Sequence, residues 1–300
     1  MGSIIDSFCL WCDLLGYSTP FIDTKWDLNT EASERNFKRI EKLQLEFTNI
    51  DNYHVERVLV LNDGFARTID LVYGSRSPQQ YLYWFDAVLS NYFLLNKIDK
   101  ADSNPGARAV LTFGQRYHYM KSNMTAAEVV QTSEERKKEL EKQIVVYSPR
   151  EFQMNTAFSK AYIIEGVGTK VGIKGSNIYI DNEFLKHLGA ILTEAEDAAY
   201  FFIDDQKQDS ENPNLYVGKI GEEKVNFEVE FYTEENYIIW DVIQIVGQNR
   251  KVLFRLWFDS FPIQFNQKGI DTTLYKVIKY KPWYENEMDS VIDFRDTSEI

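Results

Sequence analysis

Two short apolar runs in this chain stop at an acid. Residues 8–12 are apolar and end at Asp13, and Val58-Leu59-Val60-Leu61 runs into Asn62-Asp63-Gly64. Short apolar runs bounded by turn residues are the pattern of buried strands. Residues 7–13 therefore predict a first strand, closed by a loop containing Gly16, Ser18, Thr19 and Pro20. From 30 to 48 the period changes: Phe37, Ile40, Leu43 or Gln44, and Phe47 recur at helical spacing among charged residues, predicting an amphipathic helix. Residues 58–61 and 65–73 flank the Asp-Gly dipeptide, a strong hairpin signal. Ser77-Pro78 opens a second helix, with Leu82, Phe85, Leu89, Tyr92 and Leu95 or Asn96 on its apolar face as far as Lys97, and a polar loop follows at 100–106. Residues 108–113 and 116–119 read as a hairpin about Gly114-Gln115.

The order is βαββαβ with one extra strand. Right-handed crossovers and one hairpin turn this order into a four-stranded antiparallel sheet with both helices on one face. In that α+β, ferredoxin-like frame the exit of strand one and the tip of the strand two to three hairpin lie at the same end of neighbouring strands. Asp13 and Asp63, fifty residues apart in sequence, are thereby expected within a few ångströms of each other.

Further along, 125–143 has a charged helical pattern, 154–165 predicts another helix before Gly166 and Gly168, and 177–180 predicts a strand. Beyond about residue 190 the pattern is dominated by strands, with alternation at 225–231, 237–246, 252–258 and 274–280. Residues 204–213 are polar and acidic and read as a linker, and 286–300 as a mobile acidic tail. The expected division is a domain over 1–190 and a strand-rich accessory region over 191–300.

Composition narrows the ligand. With a net charge of −13 and a pI near 4.8, the chain has no general attraction for nucleic acid or anionic membrane, so a polyphosphate ligand would need a metal. No apolar run approaches a membrane span and no secretory leader is evident, which gives cytoplasm as the expected location. Cys9 and Cys12, three apart in a strand, face opposite ways and read as buried strand residues rather than a redox or zinc pair. His54, His118 and His187 lack metal-type spacing.

Two convergent carboxylates at a sheet edge suit a pair of Mg²⁺ or Mn²⁺ ions bridging phosphate oxygens, and the chemistry that follows is phosphoryl transfer. Leu14-Leu15-Gly16-Tyr17 adds a loop whose glycine and free N–H groups allow a triphosphate to approach. A structural role is open for each acid, since an aspartate at a turn commonly satisfies local backbone donors. P-loop, dinucleotide and kinase signatures are absent.

At these residues the chain resembles the class III nucleotide cyclases, and more closely the pyrimidine cyclases of Pycsar antiphage systems. Asp13-Leu14-Leu15-Gly16-Tyr17-Ser18 is similar to the family's Asp-Leu-x-Gly-Phe-Ser, and Asn62-Asp63-Gly64 falls where a Ser-Asp-Ser hairpin holds the second metal aspartate. The segment Arg108-Ala109-Val110-Leu111-Thr112-Phe113-Gly114-Gln115-Arg116-Tyr117 resembles an Arg-Gly-x-Ile-Ser-x-Gly-x-x-Tyr strand pair. Residues 155–165 resemble a Gly-x-Ala-x-x-x-Ala-Tyr-x-x-Glu helix. The likeness covers about residues 7–185.

It implies cyclisation of UTP, or alternatively CTP, to the 3′,5′-cyclic monophosphate with release of pyrophosphate. The implied metal ligands for two Mn²⁺ or Mg²⁺ ions are Asp13, the Leu14 carbonyl and Asp63, with Gly16 and Tyr17 offering backbone donors to the phosphates and Arg108 contacting nucleotide or pairing across the sheet. A homodimer with sites between subunits is implied, as is a downstream effector that responds to the cyclic nucleotide. Where the purine cyclases carry asparagine and arginine on the late helix, this chain offers Asn155, Ser159 and Lys160, with Lys160 a substitute cation or a solvated lysine. Gly64 and Ala109 also depart from the family pattern. Two other readings stay open: a catalytically silent module that binds a nucleotide or a protein, and a palm-fold or diguanylate cyclase relative, the latter opposed by the absence of Gly-Gly-x-Glu-Phe.

Overall fold

Strand β1 (Ser3–Leu14) carries six consecutive buried residues and pairs antiparallel on both sides, with β3 (Gly64–Asp70) and with β4 (Ala107–His118). This computed structural model describes residues 3–48, 56–75, 77–118, 151–195, 199–208, 216–282 and 291–295. Between β1 and β3 lie the short helix α1 (Thr19–Asp23), helix α2 (Glu31–Thr48) and strand β2 (Glu56–Leu61), which pairs antiparallel with β3. Helix α3 (Gln79–Ala101) leads into β4. The order β2-β3-β1-β4 is the ferredoxin-like βαββαβ sheet that the sequence pattern dictates. Beyond β4 comes helix α4 (Thr156–Val167), then a 3-10 turn at Gly168–Val171, strand β5 (Ile178–Asp181) parallel to β4, and helix α5 (Asn182–Thr193).

The chain divides into two compact units. The first comprises Met1–Leu71, Leu94–Phe184 and Ile263–Leu274; the second comprises Val72–Phe93, Leu185–Pro262 and Tyr275–Ile300. In the first, α4 covers one face of the sheet, where Ala157, Ala161 and Ile164 pack on Cys9, Trp11, Ala66 and Val110. Strand β11 (Ile263–Gln267) pairs with the start of β12 (Ile270–Lys281), and the Thr272 hydroxyl donates to the buried Asp181 carboxylate.

In the second unit β8 (Asn226–Glu234), β9 (Tyr237–Val246), β10 (Asn249–Asp259) and the rest of β12 form an antiparallel meander. The first half of α3 lies against it through Phe85 on Phe254 and a 2.6 Å bond between the Ser90 and Tyr280 hydroxyls. No helix among the described residues is long and apolar enough to cross a membrane.

Several expectations need correction. Residues 107–118 form one strand, paired with β1 from Ser3↔His118 to Leu14↔Ala107, with no hairpin at Gly114-Gln115. Gly114 marks a close backbone approach instead: a Cβ there would lie 2.4 Å from the Ala157 nitrogen, and Gln115 N–H donates to Thr156 Oγ1 at 2.7 Å. Helix α2 buries Ser33, Asn36, Arg39 and Leu43, whereas Phe37 is 42% exposed, so its inner face is turned from the apolar stripe. The acidic stretch read as a linker continues as strand β6 (Ala199–Gln208), which pairs with β7 (Tyr216–Lys224), while 209–213 lie outside the described residues. Within the expected tail, β13 (Ile292–Asp293) pairs with β12. The helix expected at 125–143 lies outside the described residues.

Candidate functional site

The register places Asp13 opposite Gly64 on β3 and opposite Arg108 on β4. Leu14 N–H donates to the Asp63 carbonyl at 2.9 Å, seating the end of β1 against the hairpin tip. Asn62 turns the hairpin at φ 47°, a left-handed conformation that asparagine tolerates better than most residues. Gly64 is required by packing, because a Cβ would fall 2.7 Å from the Trp11 indole and 2.9 Å from the Cys12 carbonyl oxygen. A serine at this position is thus excluded locally, by the tryptophan on the neighbouring strand and by the Cys12 carbonyl.

Charge at this end is unbalanced. Neither Asp13 nor Asp63 has an ion pair among the described residues. The Asp13 carboxyl is pushed up to about 7, first by burial and then by the negative charges of Glu165 and Asp63, against the opposing pull of Arg108 and Arg39. Asp63 is raised as well, chiefly by burial. Arg108 gives its Nε to Glu165 Oε1 at 2.9 Å and its terminal nitrogen to the same oxygen, and it reaches the Ile173 carbonyl at 3.4 Å. It therefore pairs across to α4. Glu165, to which sequence reasoning gave no role, acts on both aspartates.

The loop after β1 is held from behind. Gly16 has φ 70°, and Leu15 N–H donates to the Gly106 carbonyl at 2.9 Å. Arg39 gives both terminal nitrogens to the Leu15 carbonyl at 3.1 Å and forms a bidentate buried pair with Asp99, at 2.8 and 2.7 Å. Asn36 Nδ2 donates to the Tyr17 carbonyl at 2.7 Å. With these carbonyls drawn toward α2, the N–H groups of Gly16 and Tyr17 have no protein acceptor among the described residues. Sequence reasoning missed Asn36, Arg39 and Asp99. The signal for the first two was polar residues three apart, in register with Ser33 and Leu43 on one face of α2.

The donor set fits a hard divalent cation: two adjacent carboxylates short of positive partners, beside the Leu14 peptide. No group of three or more His, Cys, Asp or Glu assembles among the described residues, so substrate oxygens or water would complete any coordination shell.

Asn155 and Lys160 are not brought to this end within the chain. Asn155 is 1% exposed and caps α4, its Oδ1 accepting from Phe158 N–H at 3.0 Å and its Nδ2 donating to the Glu151 carbonyl at 2.9 Å. It also touches Thr68, which pairs with Cys9, four strand positions from Asp13 or roughly 13 Å. Lys160 Nζ donates to the Phe113 carbonyl at 3.2 Å.

No protein-family model and no curated protein matches the chain. Among solved structures it is similar to the adenylyl cyclase CyaB from P. aeruginosa, with 7% identity, a TM-score of 0.39, and 97% of this chain and 99% of that one covered. It is also similar to the guanylyl cyclase Cya2, with 12% identity, a TM-score of 0.38, and coverage of 92% and 93%. At these values neither likeness assigns a family or an activity.

Proposed function

We propose that the Asp13–Asp63 end is the active site of a nucleotide cyclase that acts on a pyrimidine nucleoside triphosphate, UTP in preference to CTP. The observation that carries the reading is the juxtaposition of two carboxylates lacking cationic partners with the free N–H groups of Gly16 and Tyr17. Asp13, Asp63 and the Leu14 carbonyl would hold Mg²⁺ or Mn²⁺, which when bound supplies charge to phosphate oxygens and lowers the pKa of the 3′-hydroxyl. The Gly16 and Tyr17 amides donate to the β- and γ-phosphates, and Arg39 and Asn36 keep the loop in the shape that presents them. The O3′–Pα bond forms, the bond from Pα to the pyrophosphate oxygen breaks, and the hydroxyl proton leaves to solvent.

The choice of a pyrimidine, a homodimer with sites between subunits, a cytoplasmic setting and a signalling product read by an antiphage effector rest on the motif resemblance. The test is incubation of the full chain with each of the four ribonucleoside triphosphates and Mn²⁺, with detection of cyclic monophosphate and pyrophosphate by mass spectrometry. Cyclic UMP or CMP is expected. Asp63→Ala should lower turnover by about a hundredfold or more while the fold persists.

A specific observation favours a second reading, a nucleotide-binding module without turnover: Asn155 is spent as a helix cap and Lys160 rests on a backbone carbonyl. Saturable triphosphate binding with no cyclic product from any of the four nucleotides would select it.

A further inference from the structure

A cavity of about 540 Å³ opens behind the β1 loop, lined by Pro20, residues of α2, and Asp102 and Asn104 from the connection between α3 and β4. Its size lies within the range of small-molecule pockets, about 300–1,000 Å³. In a chain of net charge −13, this wall is cationic: Arg35, Lys38, Arg39 and Lys42 lie along it against one carboxylate, Asp102. The spacing i, i+3, i+4, i+7 puts all four on one side of α2.

Three of these cations already have carboxylate partners: Lys38 with Glu34 at 2.7 Å, Lys42 with Asp102 at 2.5 Å, and Arg39 with buried Asp99. The first two pairs are solvent-exposed and so contribute little, leaving both ammonium groups available for a competing anion. Arg35 has no carboxylate partner among the described residues. Arg39 and one further lining residue, Asn36, hold the carbonyls of Leu15 and Tyr17.

We propose that this cavity binds a compact, multiply charged phosphate anion, and that its occupancy is transmitted to the 14–17 loop through Asn36 and Arg39. The anion would accept charge-assisted bonds from Arg35, Lys38 and Lys42, exchanging weak surface pairs for several simultaneous ones. The binding step does not depend on the cyclase reading, because it requires neither Asp13 nor Asp63 nor a metal.

The test is calorimetric titration of the full chain with tripolyphosphate in low salt and excess EDTA, with inorganic phosphate as the comparison. Saturable one-to-one binding of tripolyphosphate is expected, tighter than that of inorganic phosphate. The double variant Arg35→Ala/Lys38→Ala, both at exposed positions, should retain its thermal stability and bind at least about tenfold more weakly. Asp63→Ala should bind as the parent chain does. Absence of saturable binding would overturn the proposal, as would binding undiminished by the double variant or lost in Asp63→Ala. Amide hydrogen exchange at residues 15–18 reads the coupling: slowing on addition of tripolyphosphate is expected, and an unchanged rate in the saturated protein would refute transmission to the loop.

Discussion

At one end of the sheet face under α4, Arg116 pairs bidentately with Asp70 at 2.5 Å on both arms, and Asn155 spends its amide capping the helix. At the other end Arg108 is taken by Glu165 and Arg39 by Asp99, which leaves Asp13 and Asp63 beside each other without a cation of their own. Acids and arginines occupy both ends of the same strands, so residue type does not separate them. What separates them is the remaining negative charge: an end whose charged groups are paired is architecture, whereas an end with surplus carboxylate is prepared for something positive.

The largest way to disturb this contrast is to remove the cation that acts on both acids of the surplus, Arg39. Arg39→Ala leaves Asp99 buried without its partner and releases the Leu15 carbonyl, with an expected loss of about 3–5 kcal/mol in urea unfolding. It should also raise the Asp13 and Asp63 carboxyls further, since Arg39 opposes both shifts.

A smaller effect, with a definite sign, comes from Asp13 itself. In the unfolded chain this carboxyl loses its proton near the ordinary value of 3.8, but in the fold it keeps it to about 7. The folded state binds the extra proton between those values, so its contribution to stability is fully present below about pH 4 and is lost as pH rises through 7. Asp13→Asn should therefore make the metal-free protein more stable above pH 7 by a few kcal/mol, at roughly 1.4 kcal/mol per tenfold change in proton affinity, and the advantage should vanish near pH 4. Added Mn²⁺ should stabilise the parent chain and not the variant, narrowing the gap. A gap independent of pH would mean that Asp13 is not strained by its neighbours.

The smallest expected effect is at the balanced end. Asn155→Ala should cost about 1 kcal/mol, as loss of a helix cap does, without the pH dependence seen at Asp13. A large loss of turnover at unchanged stability would move Asn155 from architecture into the chemistry.

The frame was legible because apolar runs and an Asp-Gly turn specify strand order, and strand order alone makes Asp13 and Asp63 neighbours. Three kinds of residue were opaque. Gly114 looked like a turn because glycine serves both turns and close approaches, and only the path of α4 decides between them. The inner face of α2 was misplaced because Arg39 and Asn36 are buried for their hydrogen bonds to a distant loop and to Asp99, which apolar periodicity does not register. Asn155 was singled out by its motif, and the cap it forms one residue before α4 was not read from the sequence.

Trp11 lying on Gly64 ties two positions on different strands into one heritable unit. A lineage that placed a serine at position 64 would have to shrink the indole and also shift the Cys12 carbonyl, and one that kept the indole could vary every other turn residue sooner than this glycine. Comparing chains with and without tryptophan at position 11 should therefore show residues other than glycine at position 64 only where the indole is absent, with the second acid of the site conserved on either background.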